Sequence, residues 1–548
     1  MPVQKTCQVS GQTFTITDED IKVCKRFNVP LPTLCPDERH RKRTAFRNEL
    51  NLYNRTCDLT GKPIIASYST DKPYTVYSNE AWWGDSWDGT DYGREFDFER
   101  PFFEQFEELS LKVPLPPNVV LNSINCEYTA FSADSKNCYY SARMGHAEDI
   151  MYTYLALSST GIIDCYNVSH CNYCYECVDC WSCYECFFSQ NCKNTNNSWF
   201  CYDCIGCSDC FGCTGIRNKK FYFFNQCCTE EGYKEKVSKY NLGNYQVAQS
   251  IKKDFRKNLT SRPKKSAIIL NSENSTGNYI TDSKNVHCSF DLENVEDIRY
   301  CWGTEHAKDM YDCDFVYYAE LAYNIVSISR ATNIRFSFAV YGSNDIDYSM
   351  YIANNCANCF GCISLKKKQY CILNKQYSKE EYFALRDKII EHMKHTGEWG
   401  QYFHPKISTY CYNESVAGEY FPLTKEEALS RDYKWKEPEP QEFKPATAEV
   451  PDDIKDVPDS ITEEILASTL SGRNYKITKE ELRFYKRYGI PLPKTHFLER
   501  HAERLKLRNP RKLWDRNCQK CQAKISTSYA PDRPETVYCE KCYLETTD

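Results

Sequence analysis

Cysteine returns at multiples of three from residue 165 to residue 213, thirteen times in 49 positions. A fixed step of three matches neither a helix face nor an alternating strand, whose periods are 3.6 and 2. With Asn or Asp before many of the repeating residues, the step describes a chain that turns at regular intervals and stacks on itself as a β-solenoid. Set nine to a line, Cys165, Cys174, Cys183, Cys192, Cys201 and Cys210 fall at one position. Val168, Cys177, Cys186, Thr195, Cys204 and Cys213 fall at another. Nine residues are too few for a full coil, so the expected coil is two such steps, about 18 residues, in a right-handed β-helix.

The solenoid is duplicated. DSKNCYYS at 134 returns as DSKNVHCS at 282, and CSDCFGCTGIRNKKFYFFNQ at 207 returns as CANCFGCISLKKKQYCILNK at 356. Lys308-Asp309-Met310 and Tyr323-Asn324-Ile325 keep the spacing between them. Each half is followed by a helical segment, and SKEEYFALRDKIIEHMKH opens with a capping box of Ser378 and Glu381. Such helices cover the raw ends of a solenoid, where unpaired strand edges invite aggregation. The duplication also bears on what the cysteines do. Cys138 corresponds to Val286, and Ser189, Thr195 and Ser198 interrupt the cysteine run. Positions that exchange Cys for Val, Thr or Ser select small volume, so the run is predicted to be core; metal ligation by Cys171 to Cys186 and stacked disulfides are the alternatives.

The two ends are also copies of one module. Residues 10–83 and 471–544 align without a gap at an offset of 461, SGQTFTITDEDIKVCKRFNVPLP becoming SGRNYKITKEELRFYKRYGIPLP. Thr17 with Asp20 and Thr478 with Glu481 are capping boxes for a first helix, which the PLP tripeptides follow. A second, basic helix is predicted over 37–53 and 498–514. After it, CQKCQAKISTSYAPDRPETVYCEKC supplies Cys518, Cys521, Cys539 and Cys542, two CxxC knuckles that suit tetrahedral zinc. The first copy holds Cys57, Thr60, Ser78 and Ala81 at those positions, so its fold is expected to rest on packing around Trp82 and Trp83. A weaker zinc site is conceivable at Cys7 and Cys35, in a treble-clef-like frame whose other ligand positions have become Ser10 and Glu38. The C-terminal counterparts are Ser468, Ser471, His496 and Glu499.

The expected class is therefore mainly β, a central duplicated cysteine-rich solenoid flanked by two homologous α+β zinc-ribbon or treble-clef-like modules. The divisions are a degenerate module at 1–85, an aromatic and acidic docking segment at 86–117, and solenoid halves at 118–225 and 263–375. A helical insertion lies at 226–262, a capping helix at 376–400, an extended Pro-rich linker at 401–460 and the second module at 461–548. The linker composition predicts a tethered rather than a packed C-terminal module. No stretch approaches the roughly 20 apolar residues of a membrane helix, and MPVQKTCQVSGQ has no apolar run of a signal peptide, so a cytoplasmic protein with reduced thiols is expected. Thirty-three cysteines is an odd number, which excludes complete internal disulfide pairing. His392 and His395, at i and i+3, fit a solvated helix face better than a metal pair, and no HExxH, GxSxG or phosphate-binding glycine loop is present.

VPLPTLCPDERHRKR, WWGDSWDGTDYGREFDFERPFFEQF, NCFGCISLKKKQYCILNKQYSKEEY and YNESVAGEYFPLTKEEAL resemble a group of cysteine-rich, zinc-ribbon-bearing proteins frequent in small-genome, candidate-phylum bacteria. The resemblance implies a bacterial cytoplasmic protein and brings no activity with it. Charge suggests more. Residues 22–55 carry a balance of +6 and residues 479–516 one of +7, leaving −19 on the rest of a chain whose net charge is −6. Basic helices beside zinc knuckles commonly grip phosphate backbones. Arg39, Lys42, Arg43 and Arg47, with Arg500, Arg504 and Arg508, are therefore the predicted nucleic-acid contacts of a non-enzymatic RNA- or ribosome-associated protein. A protein-interaction scaffold, or a solenoid face that mimics nucleic acid, is the alternative. A solenoid enzyme acting on a polymer normally needs export and a clustered acid–base set, and neither is visible.

Overall fold

The computed structural model describes residues 1–305, 311–317, 320–322, 324–438 and 442–547. Lys308-Asp309-Met310 and Tyr323 of the repeat register lie outside the described residues. The chain is mainly β, and its centre is a solenoid of short parallel strands in two halves, running from Val120 to Phe223 and from Ile269 to Ile372. Within a half, each strand pairs with the one twelve residues on: Ile150 with Cys138 and with Ile162, Ala156 with Met144 and with Val168. The coil is therefore 12 residues long, not 18. Four sides of three residues complete each turn.

The corners explain the step of three. Asp164, Asn167, His170, Tyr173, Glu176 and Asp179 all have φ near +50°, and each stands directly before an inward-pointing residue. Asn and Asp tolerate this left-handed conformation best, which is why they crowd the corners. Inside, Cys165, Cys177, Ser189, Cys201 and Cys213 stack in one column, and Val168, Cys180, Cys192, Cys204 and Ile216 in the next, all buried. A 12-residue coil leaves room only for small side chains, so cysteine here is a core residue with a weak donor. Those thiols account for the nine-residue register. Cys165 Sγ reaches the carbonyl of Cys174 at 3.7 Å and Cys174 Sγ that of Cys183 at 3.8 Å, one coil less one side. All 33 cysteines are free thiols. In the second half the register slips twice: Ile269 pairs with Ile280, eleven residues on, and Asn344 pairs with Ala357, thirteen residues on, where Asn354 and Asn355 both take positive φ.

In the N-terminal module a hairpin (Val3–Thr6 with Thr13–Ile16) leads into α1 (Asp18–Arg26) and α2 (Pro36–Thr44). A second hairpin (Tyr53–Thr56 with Pro63–Ala66) leads into α3 (Asn79–Trp83), and α4 (Phe102–Ser110) follows. Helices α5 (Glu230–Ser238) and α6 (Tyr245–Thr260) separate the solenoid halves. Beyond the second half come α7 (Lys379–His395), α8 (Val416–Tyr420) and α9 (Lys425–Ser430). The C-terminal module repeats the first with α10 (Lys479–Tyr488), α11 (Phe497–Lys506) and α12 (Glu540–Leu544). Shifting Tyr53–Thr56 and Pro63–Ala66 by 461 gives the observed strands Trp514–Asn517 and Lys524–Thr527, so the sequence duplication is also a structural one.

Capping boxes open α1, α7 and α10 as their sequences require. The second helix of each module is shorter than its basic run. In the first copy Asn48 turns the chain by bonding the carbonyls of Asn51 and Ser67, and in the second Asn509-Pro510 forbids continuation. Each solenoid half closes with an antiparallel turn, at Gln226–Cys227 and Lys375–Gln376, before α5 and α7. The aromatic segment seats the N-terminal module on the second half: Phe102 lies against Tyr348 and Phe360, and its N–H donates to Glu398 at 3.0 Å.

The Pro-rich segment is not a loose tether. Tyr245 N–H donates to Asp452 O at 2.7 Å, Thr447 N–H to Ile465 O at 2.9 Å, and Ile454, Val457 and Ile461 are buried against α6 and α10. Its apolar residues at short intervals give it a path across the fold, and the C-terminal module is packed.

Candidate metal centre and the buried arginine clamps

Four turns of one kind recur in the modules. In each, the first residue accepts the N–H of the residue four on: Cys7 from Gly11, Cys57 from Gly61, Ser468 from Gly472 and Cys518 from Gln522. The donating residue has positive φ every time, between 62° and 73°, which is why three of the four are glycine. A helix N-cap then arrives beside the turn: Cys35 for α2, Ser78 for α3, His496 for α11 and Cys539 for α12. Each turn thus offers four places, the first and fourth residues of the turn, the N-cap and the third helical residue.

Only the last turn fills all four with thiols. Cys518, Cys521, Cys539 and Cys542 bring their sulfurs within 4.8 Å of one another, and Cys521 and Cys539 Sγ are 3.7 Å apart. A tetrahedron with metal–sulfur bonds of about 2.3 Å has edges of about 3.8 Å, so the set fits a metal ion such as zinc. The Cys539 side chain makes no capping bond and stays available. Burial pushes the Cys518 thiol up, but backbone N–H groups of Cys521, Cys539 and Lys520 outweigh it and bring it down to about 6. Cys542, crowded by burial and by the other three sulfurs, is pushed up to about 12. A thiolate is stabilised first at Cys518, and a cation is what lets its neighbours follow.

The other three turns hold themselves together by hydrogen bonds. Ser78 N–H donates to Cys57 Sγ at 3.1 Å, Ser78 Oγ caps Ala81, and Trp82 and Trp83 pack edge to face at 4.8 Å, as the packing expectation required. Cys35 Sγ meets Ser10 Oγ at 3.7 Å, while Glu38 is paired with Arg41 and lies 3.4 Å from Arg431. Among the described residues that leaves Cys7 and Cys35 as two thiols without a third or fourth ligand, and the weaker zinc site is not assembled there. In its C-terminal counterpart Glu499 accepts from Ser468 and from His496 N–H at 3.1 Å. His392 bonds the carbonyl of Arg100 at 3.0 Å and His395 that of Glu391 at 2.7 Å, so they form no metal pair.

The six arginines among the predicted phosphate contacts are inside the protein. Arg39 and Arg43 run from α2 into the second solenoid half, where Arg39 is paired with Asp312 and Arg43 Nε donates to Asp314 at 2.7 Å. Arg500 and Arg504 run from α11 into the first half and share Asp164, at 2.9 Å each. Arg508 donates to Asp179 at 2.9 Å and, with Arg511, clamps Asp291. Arg47 is held by Glu49 at 2.7 Å. All of these arginines are less than a tenth exposed. Lys42 is half-buried, and burial pushes its ammonium down to about 8. The physical reason for the correction is desolvation: the solenoid supplies buried carboxylates, and a cation facing them is stable there only when paired. Burial opposes the charge on Arg500 and Arg508, yet the facing carboxylates hold both guanidiniums well above the ordinary arginine value.

The clamps obey both duplications together. Adding 461 turns Arg39 into Arg500, and subtracting 148 turns Asp312 into Asp164. Even the second bond is copied, Arg39 Nη1 to Leu34 O and Arg500 Nη1 to Thr495 O. Each module also pairs with the chain just ahead of one half, Val76 with Leu115 and Val537–Tyr538 with Lys264–Lys265. The modules therefore cross over: each borders the start of one half and sends arginines of its second helix into the other, while Arg508 and Arg511 also hold Asp291 of the half that the C-terminal module borders. Sequence reasoning missed the five aspartates, although the offset of 148 between the DSKN motifs also relates Asp164 to Asp312.

Fold and site together define a cysteine-rich β-solenoid protein closed by two docked modules, one carrying a four-thiol centre. No protein-family model matches the chain, and no curated protein is significantly similar to it. No helix among the described residues is long and apolar enough to cross a membrane.

Proposed function

We propose that the chain is a non-enzymatic binding protein in which two treble-clef-like modules, the second holding structural zinc, brace a solenoid platform for a protein partner. The observation that carries this reading is the burial of the arginines. Cations committed to Asp164, Asp179, Asp291, Asp312 and Asp314 are not available to phosphates, so the modules act as clasps. The exposed features are rows on the solenoid corners. Asn125 donates to Asn137 and Asn137 to Asp149, each at 2.9 Å, and Asn274 to Asn285 and Asn285 to Asp297 at the same distance. The rows recur in both halves and suit a basic partner surface, in keeping with the acidic balance of the body. RNA or ribosome association would have to use cations other than the six buried arginines Arg39, Arg43, Arg47, Arg500, Arg504 and Arg508.

The test is a pull-down from the native cell with and without nuclease. Capture of a protein that survives nuclease and is lost in an Asp149→Lys/Asp297→Lys variant supports the scaffold. Capture abolished by nuclease, with absorbance at 260 nm in the untreated eluate, supports the RNA reading instead.

A further inference from the structure

A cavity of about 250 Å³ lies where the first solenoid half, α6, the start of the second half and the C-terminal module meet. Its walls include Tyr202, Tyr279, Tyr529 and Tyr543, and its charged groups are Arg256, Lys264, Lys265, Lys506, Arg533, Asp203 and Glu535. Most of these are engaged. Asp203 is bonded to Arg217 at 2.8 Å and to the Tyr543 hydroxyl at 2.5 Å, and Glu535 is paired with Arg533. Lys265 reaches Glu540 at 2.6 Å, and Lys506 reaches Glu503 at 2.8 Å.

Two cations remain. Lys264 is only 7% exposed, yet its ammonium has no hydrogen-bond or ion-pair partner among the described residues and lies over the Tyr202 ring at 4.4 Å. Arg256, half-buried on α6, likewise makes no hydrogen bond or ion pair among the described residues. Every other deeply buried cation named so far faces a carboxylate. The cavity's two carboxylates, Asp203 and Glu535, are taken by Arg217, Tyr543 and Arg533, so a lysine held nine-tenths buried beside them is a group waiting for an anion of its own. The strand that carries it pairs with Val537–Tyr538, so its position is fixed by the fold. Burial lowers its ammonium to about 8, with Glu535 and Asp203 opposing and Arg262 adding to the fall.

We infer that this cavity is a binding site for a small phosphomonoester, its dianion held between Lys264 and Arg256 and a flat ring lying among the tyrosines. Two unpaired cations match a dianion better than a single carboxylate, and the volume suits a molecule of mononucleotide size. This goes beyond the platform role and does not depend on it.

The experiment is calorimetric titration of the zinc-loaded full chain with inorganic phosphate, AMP and adenosine. AMP is expected to bind most tightly, phosphate more weakly and adenosine weakest. Lys264→Met and Arg256→Gln should each weaken AMP at least tenfold, Lys264→Arg should recover most of the loss, and zinc content and melting temperature should stay as in the parent. No heat with either phosphate or AMP at 10 mM overturns the inference. So does AMP binding that both substitutions leave unchanged. Arg256 is half-exposed, so its variant tests the site even if Lys264→Met disturbs folding.

Discussion

Replacing Asp164 with alanine removes the carboxylate that both Arg500 and Arg504 grip, at a position with no solvent exposure. Breaking a buried ion pair from one side costs about 3–5 kcal/mol, because the partner charge is left without compensation. Here two guanidiniums lose their shared carboxylate, and the backbone oxygens of Thr495 and Tyr152 are the hydrogen-bond acceptors left to them. At about 1.4 kcal/mol per tenfold, the C-terminal module should detach from the first solenoid half roughly 10² to 10³·⁵ times more often. Hydrogen exchange of the α11 amides measures this opening, with the solenoid amides of 178–187 as an internal reference. The pseudo-equivalent Asp312→Ala should cost less, about 1.5–3 kcal/mol, since Arg43 keeps Asp314 at 2.7 Å and Arg39 is the group chiefly orphaned. Adding Arg500→Met and Arg504→Met to Asp164→Ala should restore most of the protection by removing the unpaired charges. Protection of α11 within threefold of the parent in Asp164→Ala, or a larger loss in Asp312→Ala, would refute the clamp argument.

Three further outcomes are expected. Metal analysis of Cys518→Ser should show about one equivalent less zinc than the parent; an unchanged content removes the four-thiol assignment. Cys183→Val and Cys201→Val should leave zinc content unchanged and shift stability by less than roughly 1.5 kcal/mol in denaturant melts, as near volume-conserving core swaps do; metal release would make the run a cluster instead. His496 is lowered to about 4 by burial, with Arg473 and Arg500 adding to the fall. A depressed histidine binds its proton more readily when unfolded, so its contribution is full above pH 6.5 and drains away as pH falls toward 4. Melting temperature followed over that range should fall less steeply in His496→Gln than in the parent, and identical slopes would count against it.

The solenoid was legible because its rule is local. A step of three, a left-handed corner and a small inward residue are written into every triplet, and the run at 165–213 displays them without reference to the rest of the chain. The length of the coil was not legible from that run. Nearly every inward position there is cysteine, so registers of nine, twelve or eighteen look alike, and only parallel pairing across coils selects twelve. The four-thiol centre was likewise local, since two CxxC turns carry their own geometry. The decay of the other three turns could be read as lost ligands, though not the hydrogen bonds that replaced them.

The arginines mark where sequence stops deciding. A cluster of Arg and Lys on a short helix has the same composition whether it faces phosphates, water or buried carboxylates. Its partners, Asp164 and Asp312, lie more than 250 residues away in the chain, and Asp164 occupies a corner where Asp is already expected for its backbone conformation, so nothing local distinguishes it as a clamp residue. The sequence alone determined that two modules flank a duplicated stack. The tertiary structure decided that each module reaches across to the other half, because desolvated charges are stable only where the fold brings opposite signs together.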